Sequence, residues 1–169
     1  MPELTIKEKQ KKKNRGCFVS LAVFIVVLVG LILGVSNLGK YTLNPGEVAK
    51  INIRPNLKQE EGSTEITINN LSGGKLKLMG SSVWRDENTD TYYNTEEQTI
   101  TKYIQTSQGI QKQQVENLKT NDIYLDKDGI IMQFKGKKTI NINSGKNYSI
   151  EIKNLSDKII DFKATVTNR

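Results

Sequence analysis

The segment TININSGKNYSIEIKNLS, residues Thr139–Ser156, reads as two strands with a corner between them. Ile140 and Ile142 alternate with Thr139 and Asn141, and Ile150 and Ile152 alternate with Ser149 and Glu151. A period of two gives each run one apolar and one polar face, the pattern of a half-buried strand. Asn143-Ser144-Gly145 supplies the turn residues that separate them. Outward from this pair the alternation recurs in Val48–Ile53, Thr64–Ile68, Lys75–Met79, Thr99–Ile104 and Ile130–Phe134. Asp161–Val166 closes the chain with Phe162, Ala164 and Val166 on one face. Turns are signalled at Asn44-Pro45-Gly46, Ser72-Gly73-Gly74, Asp126-Lys127-Asp128-Gly129 and Lys135-Gly136-Lys137. Short strands at this spacing predict a mainly β fold: a single antiparallel β-sandwich, jelly-roll-like, preceded by one transmembrane α-helix. Two segments are expected to depart from the strand pattern. Gln111–Lys119 is expected to form a short helix with Val115 and Leu118 inward, and Asp86–Gln98 a polar, exposed loop.

The two ends of the domain echo each other. Asn44–Ile53 and Asn143–Ile152 share N-x-G-x4-I-x-I, and Ile66–Ser72 and Ile150–Ser156 share I-x-I-x-N-L-S. Two such matches are too few for a solenoid and indicate a shared turn-then-strand device, with Asn-Leu-Ser turning a hairpin corner. The opening L-x-P-G-E-x-x-x-I-x-I (Leu43–Ile53) and the closing GKNYSIEIKNLS (Gly145–Ser156) resemble small exported β-sandwich modules of the prepeptidase C-terminal and GOLD types. The resemblance covers the ends and not the middle. It implies an exported sandwich with a binding or accessory role, and carries no functional residues across.

No residue from Gly16 to Gly39 is charged, and Phe18–Val35 is almost wholly apolar. About 20 such residues cross the roughly 30 Å hydrocarbon layer as a helix, the form that satisfies its own backbone in lipid. The basic run Lys7–Arg15 precedes the segment and only Lys40 follows closely, so the positive-inside rule keeps the N-terminus cytoplasmic. The domains expected are a basic cytoplasmic tail (1–15), a transmembrane signal anchor (16–39) and an extracytoplasmic β-sandwich (40–169). The protein would then sit in the cell membrane as a single-pass chain. A cleaved signal peptide is the competing account, with Gly34-Val35-Ser36 as cleavage site, but the apolar stretch exceeds the usual 7–15 residues of such a region. Gly30 and Gly34 form a GxxxG along which two helices can approach.

The formal charge of +7 is concentrated in the tail: residues 1–39 carry +4, leaving +3 on the domain. That distribution suits a membrane flank, and nucleic acid is not an expected partner. Cys17 is the single cysteine and histidine is absent, which excludes an intrachain disulfide, a His-based triad and His-ligated zinc. Richness in Lys, Asn and Ile with three prolines points to an AT-rich, low-GC bacterial genome.

The candidate binding surface is Trp84, Arg85, Asp86, Asn88, Tyr92 and Tyr93, because rings beside carboxylate, amide and guanidinium groups suit a sugar; the bland alternative puts Trp84 in the core. Asp126-Lys127-Asp128-Gly129, near Asn121 and Asp122, has oxygens that calcium prefers, but Ile130, Ile131 and Met132 follow where ligands are needed, so a hairpin turn is expected. The pairs Glu60/Glu61 and Glu96/Glu97 lie in polar stretches that would not perturb them, and Lys135, Lys137 and Lys138 crowd one solvated hairpin. Asn70, Asn147 and Asn154 stand in N-x-S sequons. No catalytic residue, metal or cofactor is expected. The function expected is a membrane-anchored, non-catalytic binding or assembly module contacting a cell-envelope protein partner, the alternative being glycan or cell-wall-polymer (polysaccharide) binding.

Overall fold

Alternating apolar residues become antiparallel strands over most of the described chain. The structure, a computed structural model, describes residues 39–53, 62–144 and 148–168. They belong to a compact unit running from Gly39 to Arg169. The tail 1–15, residues 16–38 of the expected membrane helix, and Gly30 and Gly34 lie outside the described residues.

The strands are β1 (Lys40–Leu43), β2 (Val48–Ile53), β3 (Gly62–Asn70), β4 (Lys75–Met79) and β5 (Val83–Asp86). Then come β6 (Thr91–Asn94), β7 (Thr99–Thr106), β8 (Gly109–Val115) and β9 (Ile123–Asp126). The last are β10 (Gly129–Gln133), β11 (Gly136–Ser144), β12 (Tyr148–Asn154) and β13 (Ile160–Asn168). An eight-stranded sheet runs β1-β13-β3-β11-β5-β6-β7-β8, and a five-stranded sheet runs β2-β12-β4-β10-β9. Four antiparallel pairings are nested: β1 with β13, β2 with β12, β3 with β11 and β4 with β10. They fall alternately in one sheet and the other, as in an antiparallel ribbon folded across two layers. The meander β5–β8 is inserted between β4 and β10 and extends the larger sheet beyond β11. Eight strands therefore stand over five, and the insertion overhangs.

One core lies between the sheets. Ile66, Ile68, Trp84, Ile140, Ile142 and Phe162 meet Leu76, Leu78, Ile130, Met132, Ile150 and Ile152 in a single buried cluster. Each fully buried aliphatic chain contributes roughly 1.5–3 kcal/mol. Packing is close at Gly129, opposite Met79, where a Cβ would meet the Leu78 carbonyl oxygen at 2.0 Å. Only glycine fits there.

The two Asn-Leu-Ser corners stitch the sheets together reciprocally. Asn70 Nδ2 donates to the Gly74 carbonyl at 2.7 Å, and its Oδ1 accepts from the Gly73 amide at 2.9 Å. Asn154 Nδ2 donates to the carbonyls of Leu43 (3.0 Å) and Lys158 (2.7 Å), and its Oδ1 accepts from the Ser156 amide at 2.8 Å. Ser72 and Ser156 then cross over: the Asp161 amide donates to Ser72 Oγ and the Lys75 amide to Ser156 Oγ, both at 2.8 Å. The Leu71 and Leu155 amides complete the exchange by donating to the Asp161 and Lys75 carbonyls. Both asparagines are fully buried, so neither sequon offers its side chain to a glycan; Asn147 lies outside the described residues.

Both expected departures from the strand pattern are corrected. Gln111–Val115 belongs to β8, not to a helix, and pairs with Ile100–Ile104 of β7. Leu118, expected inward, is 44% exposed. Asp86–Gln98 is not one exposed loop: Thr91–Asn94 is a paired strand, and Asp86, Thr91 and Tyr93 are buried. Ladder hydrogen bonding outweighs the weak local apolar pattern in both cases, and at β6 burial of Thr91 and Tyr93 adds to it.

Candidate binding site

Strand alternation divides the sequence-derived surface between two faces. β5 and β6 pair Trp84 with Tyr93, Arg85 with Tyr92 and Asp86 with Thr91, so successive pairs point to opposite sides. Trp84, Asp86 and Tyr93 turn inward and are buried, Arg85 and Tyr92 turn outward, and Asn88 is exposed in the turn. Trp84 is wholly enclosed; its place on a binding face is corrected to the core. Its Nε1 has no hydrogen-bond partner among the described residues, a cost offset by the burial of the indole.

The outward residues lock one another. Arg85 reaches Asp90 Oδ1 through Nε and Nη2, each at 2.9 Å, and its guanidinium lies 5.3 Å from the Tyr92 ring centre. Tyr92 meets Tyr103 edge-on at 5.1 Å. Tyr92 is thereby flanked by the cation and by a second ring, which reduces the platform it offers a sugar.

The inward side holds the better site. Below the overhang of β5–β8 lies a cavity of about 320 Å³. Asp86, Thr89, Thr91 and Tyr93 line it from the β5–β6 hairpin, Ile100 and Lys102 from β7, Val115 and Glu116 from the end of β8. Asn121, Asp122 and Ile123 wall it at the start of β9, and Lys138 enters from β11. The local sequence fixes the hairpin that carries its floor. The Asp86 carboxylate accepts from the Asn88 amide and the Thr89 hydroxyl, both at 3.0 Å, an Asx turn that holds 87–90 in a tight loop. Asp90 closes that loop at φ +48°, and Gln98 closes the next at φ +53°, where Asn94 accepts from the Glu96 and Glu97 amides.

Electrostatically the cavity is mixed. Lys138 Nζ pairs with Asp122 Oδ2 at 3.1 Å, while Lys102 makes no ion pair among the described residues. Burial, reinforced by the charges of Asp86 and Asp122, pushes the Tyr93 phenol well above its ordinary value of 10.0. The phenol therefore stays protonated and able to donate. Carboxylates accept, Lys102 and Tyr93 donate, and Ile100, Val115 and Ile123 present apolar surface. That combination suits a ligand with hydroxyl or amide groups arrayed around an apolar face. No protein-family model, curated protein or solved structure matches the chain.

Of the six sequence candidates the cavity takes Asp86 and Tyr93. Lys102, Glu116, Asp122 and Lys138 come from different elements, brought together by pairing within the larger sheet and by its packing against the smaller one. Asn121 and Asp122 are the oxygen-bearing neighbours of the β9–β10 turn, and Lys138 belongs to the basic hairpin Lys135–Lys138.

That turn is a hairpin, as its residues indicated. Lys77 occupies it, with Nζ 2.5 Å from Asp126 Oδ2 and also bonded to Asp128. The hydrogen bond from Lys77 holds the Asp126 carboxyl below its ordinary value of 3.8. Burial pulls Lys77 down, but its bonds to Asp126 and Asp128 outweigh that and leave it above 10.5. The carboxylates that a cation would need already serve an ammonium.

Proposed function

We propose that this chain is a membrane-anchored, non-catalytic binding module whose jelly-roll domain lies outside the cytoplasm and takes a hydroxyl-rich ligand, a glycan or cell-wall polymer, in the cavity beneath β5–β8. The observation that carries this is the cavity itself: a roughly 320 Å³ hollow with carboxylates, the Lys102 ammonium and a protonated phenol set over apolar residues. The nested pairing of β1–β4 with β13–β10 supports the jelly-roll assignment. The uncharged segment 16–39 behind a basic tail supports the anchor and the orientation. The likeness of Leu43–Ile53 and Gly145–Ser156 to exported prepeptidase C-terminal and GOLD modules favours binding over catalysis.

Titration calorimetry of the full-length chain in detergent micelles, against a panel of neutral, acidic and amino-sugar oligosaccharides, tests the assignment. Binding by at least one class is expected, with loss on Lys102→Ala or Asp122→Ala and retention on Arg85→Ala, which alters the opposite face. No binding across the panel, or equal loss with Arg85→Ala, overturns it. Protease added to intact cells should remove residues beyond 40.

A further inference from the structure

The eight-stranded sheet ends in β1, four residues long, and in β8, seven residues long, with no strand beyond it among the described residues. Tyr103 gives its amide to the Asp90 carbonyl on the β6 side. Its partner across the ladder, Lys112, therefore occupies a non-hydrogen-bonded position and turns its N–H and C=O outward. By alternation Ile110 and Gln114 do the same. No backbone bond among the described residues meets these three from outside the ladder. The contrast with β9 is informative. There Asn117 stands in for a neighbouring strand, donating from Nδ2 to the Leu125 carbonyl at 3.1 Å and accepting the Leu125 amide on Oδ1 at 2.9 Å. One edge is closed by a side chain and the longer one is left open.

Charge and apolar exposure narrow what could pair with β8. The hairpin Thr99–Val115 carries Lys102 and Lys112 and no acidic residue. Lys112 makes no ion pair among the described residues, and Ile110 beside it on the same face is 69% exposed. Two copies of β8 paired about their midpoint would set Lys112 against Lys112, which disfavours that symmetric dimer. A strand presenting a carboxylate opposite Lys112 and an apolar residue opposite Ile110 satisfies both.

We propose that β8 is a docking edge for an extended, acidic segment of a partner polypeptide, which adds to the larger sheet as a ninth strand through the backbone of Ile110, Lys112 and Gln114. Val115 at the end of β8 lines the cavity, but Ile110, Lys112 and Gln114 do not, so this holds whether or not a glycan binds.

The test is selection of phage-displayed nonapeptides on the full-length chain in detergent micelles, followed by amide exchange of the complex. Enriched peptides with a central Asp or Glu are expected, slowing exchange at Ile110, Lys112 and Gln114 at least tenfold. N-methylation of the peptide backbone should abolish binding. Lys112→Glu, an exposed change, should weaken acidic peptides at least fivefold and favour the lysine-centred counterpart. Failure to enrich any peptide, protection mapping elsewhere, or indifference to N-methylation refutes the proposal. So does protection of the same amides without peptide through concentration-dependent self-association, which would make a second copy the occupant.

Discussion

Replacing Asn154 with alanine should be among the most damaging single polar substitutions in the domain. Its side chain makes three hydrogen bonds, at 3.0, 2.7 and 2.8 Å, and is fully buried where β12 leaves for β13. Truncation strands the Leu43 carbonyl in a buried setting, at about 1–3 kcal/mol, and frees the Lys158 carbonyl and Ser156 amide in partly wet ones, at about 0.5–1.5 kcal/mol each. The expected loss is therefore about 2–6 kcal/mol, a large part of the roughly 5–15 kcal/mol that holds a domain folded. Asn70→Ala at the sister corner removes two bonds, both part-buried, and should cost about 1–3 kcal/mol. Urea unfolding of the full-length chain, followed by tryptophan emission, is the assay: Trp84 is the only tryptophan and is wholly enclosed, so the signal reports the core alone. The midpoint should fall with the slope unchanged. An Asn154→Ala cost below about 1 kcal/mol, or below that of Asn70→Ala, would refute the account of the corners.

Gly129→Ala, which drives a Cβ into the Leu78 carbonyl, should cost about 2–3 kcal/mol in the same assay. Gly46→Ala, at φ +78° with open space around it, should cost about 1 kcal/mol, and equal losses would discount the close approach. By differential scanning calorimetry Trp84→Ala should lose about 3–5 kcal/mol, whereas Tyr92→Ala, on the outer face, should lose no more than about 1.5 kcal/mol. Lys77→Met should lower stability in a pH-dependent way. The depressed Asp126 stabilises above its ordinary value of 3.8, and that part is lost as pH falls through its folded value. The raised Lys77 stabilises below 10.5, and that part is lost as pH rises through its folded value. The gap between parent and variant should be widest between about pH 5 and 10 and narrow on either side; a gap unchanged at pH 3 would sink this reading.

Much of the architecture was legible residue by residue. Ile66, Ile68, Ile140, Ile142, Ile150 and Ile152 alternate strictly with polar neighbours, and each lies in the core. Asn44-Pro45-Gly46 and Asp126–Gly129 declared their turns because Pro, Gly and Asp carry local conformational preferences that act whatever surrounds them. The repeated Asn-Leu-Ser announced two like corners, though not the crossed serine bonds that join each to the other's outgoing strand. β6 and β8 were missed because Thr91–Asn94 and Gly109–Val115 offer little apolar alternation; partner strands, not their own side chains, hold them extended.

The candidate site divided along the same line. Side-chain chemistry marked Trp84–Tyr93 as the place where rings and charges gather, but which residues share a face depends on pairing register, and that sent Arg85 and Tyr92 one way and Asp86 and Tyr93 the other. Lys102, Asp122 and Lys138 reach the same hollow only because eight strands overhang five. Strand period and turn chemistry are local properties, settled by neighbours in the chain. The pairing of β11 with β5, the overhang, the cavity and the open edge of β8 are consequences of which distant strands meet, and only the folded chain decides that.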